Sequence, residues 1–277
     1  MGKLYVVATP IGNLDDISVR AKDVLSHVTW IAAEDTRHSR VLLDHLGIAT
    51  PLVSYHDYNE QERVEKLIKK LQQGETGALI SDAGTPLISD PGFHLVAAAH
   101  DAHIQVVPIP GPCSLIAALS AAGLPTDKFL FEGFLPAKEN ARRKRLEALK
   151  EFAHTMVFFE APHRLAELVK DCHDIFSGQR LATLVRELTK KFETIHRDPL
   201  ENLLALITEE KLVIKGECIL VVQGAKVEEN RDSNQVESER ILRVLLAEVP
   251  LKQAVQIAVK ITHQPKNWLY DLAMKLK

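Results

Sequence analysis

A chain of 277 residues is long for one domain and is expected to divide into two, with a small appendage. Its 46% hydrophobic and 26% charged content is ordinary for a globular protein, and no apolar run is long enough to span a bilayer. The net charge of −3 exerts no global pull on nucleic acid, so binding of that kind needs local basic patches.

The first 120 residues repeat one pattern. An apolar run of four to six residues ends in a Gly, Pro or acidic loop, and an amphipathic helix follows. Leu4 to Ala8 leads into "TPIGNLDD", and Trp30 to Ala33 into "EDTRHS". Ala78 to Ile80 leads into "SDAGTPLISDPG", and Ile104 to Val107 into "PIPGPCS". The runs are continuously apolar rather than alternating, as in strands covered on both faces, and helices between them imply a parallel α/β sheet. Gly47 fits a helix C-cap, Pro112 a helix start, and Gly123 the end of the small, apolar helix after it.

A break at "GLPTDKF", residues 123 to 129, opens a second α/β region. Its predicted strands are 129–134, 155–159, 181–185 and 218–222, and its predicted helices 138–151, 162–175 and 199–209. The domains are therefore expected at 1–123 and 124–226. A polar linker follows at 227–236, then a three-helix, helix-turn-helix-like module at 237–277 with Pro250 and Pro265 at helix starts.

Three widely spaced cysteines, Cys113, Cys172 and Cys218, argue against a disulfide framework or a zinc site. The twelve histidines are scattered, so no metal is expected. The N-terminus runs straight into a strand without a signal-peptide pattern, which points to the cytoplasm and to no membrane partner.

Ligands in open α/β sheets bind beyond the carboxyl ends of the strands, so the strand-end loops are the candidates. In "SDAGTPLISDPG" the two aspartates separate. Asp90 before Pro91 reads as the N-cap of a helix beginning at Gly92. Asp82 follows directly on the strand among small residues that let a ligand approach the backbone, and its carboxylate can accept from an amine or a ribose. No loop carries G-x-G-x-x-G or a Walker A pattern, which removes the usual sequence case for a dinucleotide enzyme or a nucleotide hydrolase. "AAEDTRHSR" places Glu34, Asp35 and Arg37 at a strand end, either as a helix cap with solvated arginines or as a polar substrate wall. "FFEAPHR" clusters Glu160, His163 and Arg164, and "VRELTKKFE" adds Glu187, Lys190 and Lys191. "RRKR" supplies Arg142, Arg143 and Arg145, read as a solvated helix face or as phosphate contacts.

Together "VVATPIGNLDDIS", "AAEDTRHSRVLLDHLGI", "ALISDAGTPLISDPG", "VVPIPGPCSLIAALSAAGLP", "FFEAPHRL" and "RELTKKFET" resemble the small-subunit ribosomal RNA cytidine 2′-O-methyltransferases of the tetrapyrrole methylase superfamily, in order from residue 3 to about residue 223. The resemblance implies two α/β domains of the class III methyltransferase type with S-adenosyl-L-methionine folded into the cleft between them. Carried over motif by motif, it places the donor against Pro10, Asp82, Ala83, Gly84 and Thr85, and against Cys113, Ser114 and Leu115. From the second domain it adds Phe159, Glu160, Glu187 and Leu188. It implies a homodimer acting on small ribosomal subunit RNA in the assembled subunit, and no DNA. "TPIGN" stands where small-molecule members have a Gly-rich first loop, which favours the RNA branch.

The implied reaction moves a methyl group to a ribose 2′-hydroxyl, with much of the acceleration expected from positioning and a further factor from a general base. The candidate bases are Glu34, Asp35 and Glu160, with His163 and Lys190 also able to serve. Arg37, Arg142, Arg143, Arg145, Arg164, Lys190 and Lys191 are the candidate RNA contacts. Three rivals stay open, one of them a porphyrin-free metabolic enzyme that uses another nucleotide. A tetrapyrrole-type small-molecule methyltransferase would not need the basic strand ends or the helical tail. A non-enzymatic RNA-binding protein would not need small-residue loops around a cleft.

Overall fold

Among the described residues, ten strands and α-helices, besides a 3-10 turn at Leu14–Asp16, make the first half of the larger of two units. In chain order they are β1 (Lys3–Val7), α1 (Val19–His27), β2 (Trp30–Ala33), α2 (Thr36–Leu46), β3 (Leu52–Ser54), α3 (Glu60–Gln72), β4 (Gly77–Ile80), α4 (Phe93–Asp101), β5 (Gln105–Ile109) and α5 (Ser114–Ala122). The computed structural model describes residues 2–55, 60–212, 214–225 and 231–276. Its two units are Met1–Ala225 and Lys226–Lys277.

The first sheet is parallel throughout, in the order β3-β2-β4-β1-β5. Every residue of β2 and β4 is buried, which is what the continuous apolar runs demand. Leu25 of α1 and Leu43 of α2 pack on one face against Val7, Ile31 and Ile80. Leu71 of α3 and Leu95 of α4 pack on the other against Leu4, Trp30 and Leu79. Gly47 and Gly123 take left-handed conformations at the ends of α2 and α5, as predicted. β3 and α3 fill a stretch that carries no prediction; β3 is a three-residue, half-buried edge strand, too short to announce itself.

The strand order fixes where a ligand can sit. β1 connects across β4 to β2, whereas β4 connects across β1 to β5. The chain therefore diverges at the adjacent carboxyl ends of β1 and β4, and that divergence opens a crevice.

The second half holds β6 (Phe129–Phe134), α6 (Glu139–Leu149), β7 (Thr155–Glu160), α7 (Pro162–Phe176), β8 (Leu181–Arg186), β9 (Thr194–Pro199), α8 (Leu200–Thr208) and β10 (Cys218–Val222). Its sheet runs β6-β7-β10-β8-β9; β6 and β7 are parallel and the other pairs antiparallel. β9 escapes prediction because Thr194–Pro199 is mostly polar and ends in proline, so it lacks a strand's apolar alternation.

Helices α6, α7 and α8 cover one face of this sheet through Leu146, Leu165, Leu168 and Leu203. Helix α5 covers the other, its Leu115, Ala118 and Leu119 packing on Val157, Val185 and Ile219. A chain division at 123–124 therefore separates α5 from the sheet on which it packs. The helix is apolar on nearly every side and is used by both halves.

The second unit contains α9 (Arg231–Glu248), α10 (Leu251–Thr262) and α11 (Lys266–Leu276), packed around Leu242, Val255, Leu269 and Ala273. Pro250 is the N-cap of α10. Helix α9 starts six residues ahead of the expected 237, because "RDSNQV" contains no proline or glycine to hold it as linker. The rest of the expected linker, 227–230, lies outside the described residues. Among the described residues no helix is long and apolar enough to cross a membrane.

Candidate functional site

The loops after β1 and β4 are joined at the crevice. Thr9 and Gly84 exchange two backbone hydrogen bonds, 2.9 and 3.0 Å. The Thr9 hydroxyl also donates to the Ser81 carbonyl at 3.2 Å. Gly84 sits at φ +86°, and a side chain there would crowd Ile11. Thr85 Oγ1 donates to the Pro112 carbonyl at 3.0 Å, tying in the loop after β5. Three of the four strand-end loops thus form one floor.

Above this floor lies a cavity of about 370 Å³, within the usual range for a small-molecule site. The first half contributes Ile11, Asp82, Ala83 and Ser114; the second contributes Phe134, Phe159, Glu160, Cys218 and Ile219. At its edge α5 begins at Ser114, and its N-cap, Cys113, makes no side-chain capping bond. The first amide groups of α5 are therefore donors without a side-chain partner, suited to a ligand carboxylate. Asp82 Oδ1 accepts from the Asp35 backbone N–H at 3.1 Å, which holds its carboxylate at the strand end. A carboxylate, a row of free amides, small residues and apolar walls fit a donor with an amino-acid end and a ring system.

Several residues expected at the donor, Pro10, Leu115, Glu187 and Leu188, are not among those lining the cavity. Pro10 is buried beside Thr9, and Leu115 and Leu188 turn into the core that includes Ile11. Glu187 is ion-paired to Lys190 at 3.0 Å and accepts from the Glu217 backbone N–H at 3.0 Å. The Lys190 bond holds its carboxyl below the usual range.

Asp90 departs from its expected role. The helix starts at Phe93, its N-cap is Gly92 at φ +137°, and no side chain caps it. Leu87 and Ser89 both take left-handed backbone angles that turn the loop back before the Asp-Pro pair reaches the helix. Asp90 instead lines the cavity. Burial pushes its carboxyl pKa up and the Asp82 charge adds to this, against a hydrogen bond with the Ser81 side chain.

The three candidate bases are differently placed. Glu160 lies on the cavity wall but is only 2% exposed. Its Oε1 accepts from the Ala161 N–H at 2.9 Å and its Oε2 lies 3.2 Å from Arg164 Nη2. Glu34 and Asp35 are not among the cavity-lining residues. Asp35 caps α2 by accepting from the backbone of Arg37 and His38. Its side-chain bond to Arg37 is the main reason its pKa falls to about 2, which makes it a poor proton acceptor.

Most of the predicted phosphate contacts have internal carboxylate or carbonyl partners. Arg142 is 2% exposed, with Nε donating to Asp171 at 2.7 Å and Nη2 3.1 Å from Glu167, so it cannot reach RNA. The helical pitch turns it inward from the basic run. Arg143 pairs with Asp171 at 2.6 Å, and Arg145 with Glu132 at 2.6 and 2.8 Å. Arg164 Nη2 also donates to the Leu135 carbonyl at 2.9 Å, strapping the loop after β6. Arg37 extends into solvent although it pairs with Asp35.

Lys190, itself paired with Glu187, and exposed Lys191 line an open groove of about 630 Å³, together with Gly12, Asn13, His45 and Thr189. Gly12 packs against the Lys190 side chain, a contact that a larger residue would block. The groove adjoins the cavity in two ways: Ile11 of the cavity precedes Gly12, and Glu217 of the cavity lies 3.4 Å from Lys190. Phe134, Ile88, Glu217, Cys218 and Ile219 were not singled out by the sequence. Their one signal is position, at the end of β6, at the start of β10 and late in the loop after β4.

The chain matches the family of Tetrapyrrole (Corrin/Porphyrin) Methylases over residues 3–204 and the RsmI C-terminal HTH domain over 232–277. It is 55% identical over 274 residues to the ribosomal RNA small subunit methyltransferase I of Pseudomonas aeruginosa, covering 99% of this chain and 97% of that one. The protein of the same name from Escherichia coli O157:H7 is 50% identical over 274 residues, at 99% and 95% coverage. Among solved structures, uroporphyrin-III C-methyl transferase from Thermus thermophilus complexed with S-adenyl homocysteine superposes with a TM-score of 0.56. It is 17% identical and covers 80% of this chain and 97% of that one. At that identity the likeness speaks for the fold alone.

Proposed function

This chain belongs to the tetrapyrrole methylase family, and from that premise we propose that it transfers a methyl group from S-adenosyl-L-methionine to the ribose 2′-hydroxyl of a cytidine in small-subunit ribosomal RNA. The observation that carries the reading is the junction of two spaces. A cavity suited to the donor adjoins a more open groove lined by two lysines. A small-molecule methylase needs the first alone, and an RNA-binding module the second alone.

The donor supplies an activated methyl group on a positively charged sulfur. Asp82 and the first amides of α5 would hold its amino-acid end, and Ala83, Ile11 and Phe159 would line the rest. Phe134, 58% exposed at the cavity wall and edge-on to Phe159, offers a face on which an unstacked base can rest. Exposed Lys191 and Arg37 hold the flanking phosphates, while Lys190, paired with Glu187 and Glu217, shapes the groove wall. The 2′-hydroxyl as acceptor makes the substrate RNA rather than DNA.

The chain acts as a homodimer on the assembled small subunit in the cytoplasm. Exposed Phe93 and Ile116 provide apolar surface for association, and the three free cysteines suit a reducing compartment. The test is incubation with labelled donor and small subunits, followed by nucleoside mass spectrometry. 2′-O-Methylcytidine is the expected product; label in a tetrapyrrole with none in RNA would overturn the reading.

A further inference from the structure

We propose that Asp90 is the group that accepts the proton leaving the ribose 2′-hydroxyl as the methyl group is transferred. The inference rests on the functional reading above and adds the identity of the base.

Four observations lead to it. First, Asp90 does not cap the helix that follows it, because α4 is capped at Gly92 without any side chain. Second, its loop holds two non-glycine residues in left-handed conformations, Leu87 at φ 73° and Ser89 at φ 65°, and these bring Asp90 to the cavity. Strain of this kind persists where the surroundings enforce it, and it concentrates at functional sites. Third, each of the other carboxylates of the cavity has an internal partner. Glu160 is clamped by Arg164 and the Ala161 amide, Asp82 holds the Asp35 amide, and Glu217 pairs with Lys190. Fourth, no lysine or arginine is among the residues lining the cavity; Arg164 and Lys190 stand behind it, paired with Glu160 and Glu217. From its own loop Asp90 meets Asp82 and the Ser81 hydroxyl, and the opposite wall presents Glu160 from β7 with Glu217 and Cys218 from the β10 end. Half-buried and beside the Asp82 charge, the Asp90 carboxylate binds a proton more tightly than an ordinary aspartate.

The step balances. The ribose oxygen bonds to the methyl carbon while the carbon–sulfur bond breaks and its electron pair passes to sulfur. Sulfur loses its positive charge, and the O–H proton passes to an Asp90 carboxylate oxygen. Release to solvent through the cavity mouth restores the carboxylate.

The experiment compares wild type, Asp90→Asn and Asp90→Glu on small subunits. S-adenosylhomocysteine binding is measured by calorimetry and subunit binding by filter retention. Asp90→Asn is expected to lower kcat by about 10²–10⁴-fold while both affinities stay within about twofold, and to abolish the acidic limb of the pH–rate profile. Asp90→Glu is expected to restore part of the rate. A wild-type rate and acidic limb in Asp90→Asn would overturn the role of Asp90 alone. Loss of donor or subunit affinity matching the loss of rate would make Asp90 a binding residue and overturn it as well. Failure of wild type to form 2′-O-methylcytidine would instead overturn the reading on which the proposal rests.

Discussion

Thr9 and Gly84 lie in loops 75 positions apart, yet they bond through both backbone amides like paired residues in an antiparallel ladder. That bridge crosses two strands that are themselves parallel. It holds the crevice at a fixed width, and Gly84 can make it because φ +86° costs glycine nothing. Gly84→Val is expected to cost about 1–3 kcal/mol in backbone strain, with crowding of Ile11 added. Thermal melts and calorimetry with S-adenosylhomocysteine should show a lower Tm and weaker binding together. Unchanged binding would mean that the bridge does not shape the donor site.

Asp82 has two uses: it anchors the Asp35 amide and it presents a carboxylate to the cavity. A hydrogen bond to a charged group is worth about 1.5–3 kcal/mol. Asp82→Ala should therefore weaken S-adenosylhomocysteine roughly 10- to 100-fold. Unchanged affinity would remove Asp82 from the donor site.

The basic residues divide into structural and available ones. Lys191 is exposed, lies 5.6 Å above the Phe192 ring and lines the open groove. Lys191→Ala should weaken RNA binding with little sequence preference and reduce the slope of log K against log salt by about one. Arg145→Ala should leave the slope unchanged, because Glu132 already holds that guanidinium through two bonds. Equal slopes for wild type and Lys191→Ala would exclude a phosphate contact at Lys191.

Arg142 is the basic residue that reads most like an RNA contact and serves least as one. Its charge is buried against Asp171, and burial also raises the pKa of the neighbouring Cys172 thiol. Removing one partner of a buried pair costs about 3–5 kcal/mol, because the other charge is left uncompensated. For a unit of this size Arg142→Ala should lower Tm on the order of 10 °C. A melt within a degree or two of wild type would contradict that role.

The strands were legible because burial on both faces writes itself as unbroken apolar runs; Trp30–Ala33 and Cys218–Val222 fall at their predicted limits. The loops were legible by position, since Asp82 and Ser114 follow the rule of the carboxyl edge. Pairing was not legible. Whether Arg142 meets RNA or Asp171 depends on a helix 29 residues away in the chain, and no local pattern reports that. Nor was the start of α4. Asp-Pro satisfies every local rule for a cap, but the left-handed turns at Leu87 and Ser89 come from tertiary packing and override it.

Asp90 also makes a prediction about stability that is independent of activity. Its folded-state pKa is raised, chiefly by burial. The contribution of such a group to stability is intact below the unfolded pKa of about 3.9. It is lost progressively as pH rises through the folded value, because the charged form is less welcome in the cavity than in the open chain. Asparagine keeps the shape and never ionises. Asp90→Asn should therefore melt at nearly the wild-type temperature near pH 4 and above it at pH 7, with the gap opening between these limits. Groups tuned for chemistry commonly carry such a cost. A variant less stable than wild type at neutral pH would show that Asp90 supports the fold, as a cap would, and that the cavity does not strain its charge.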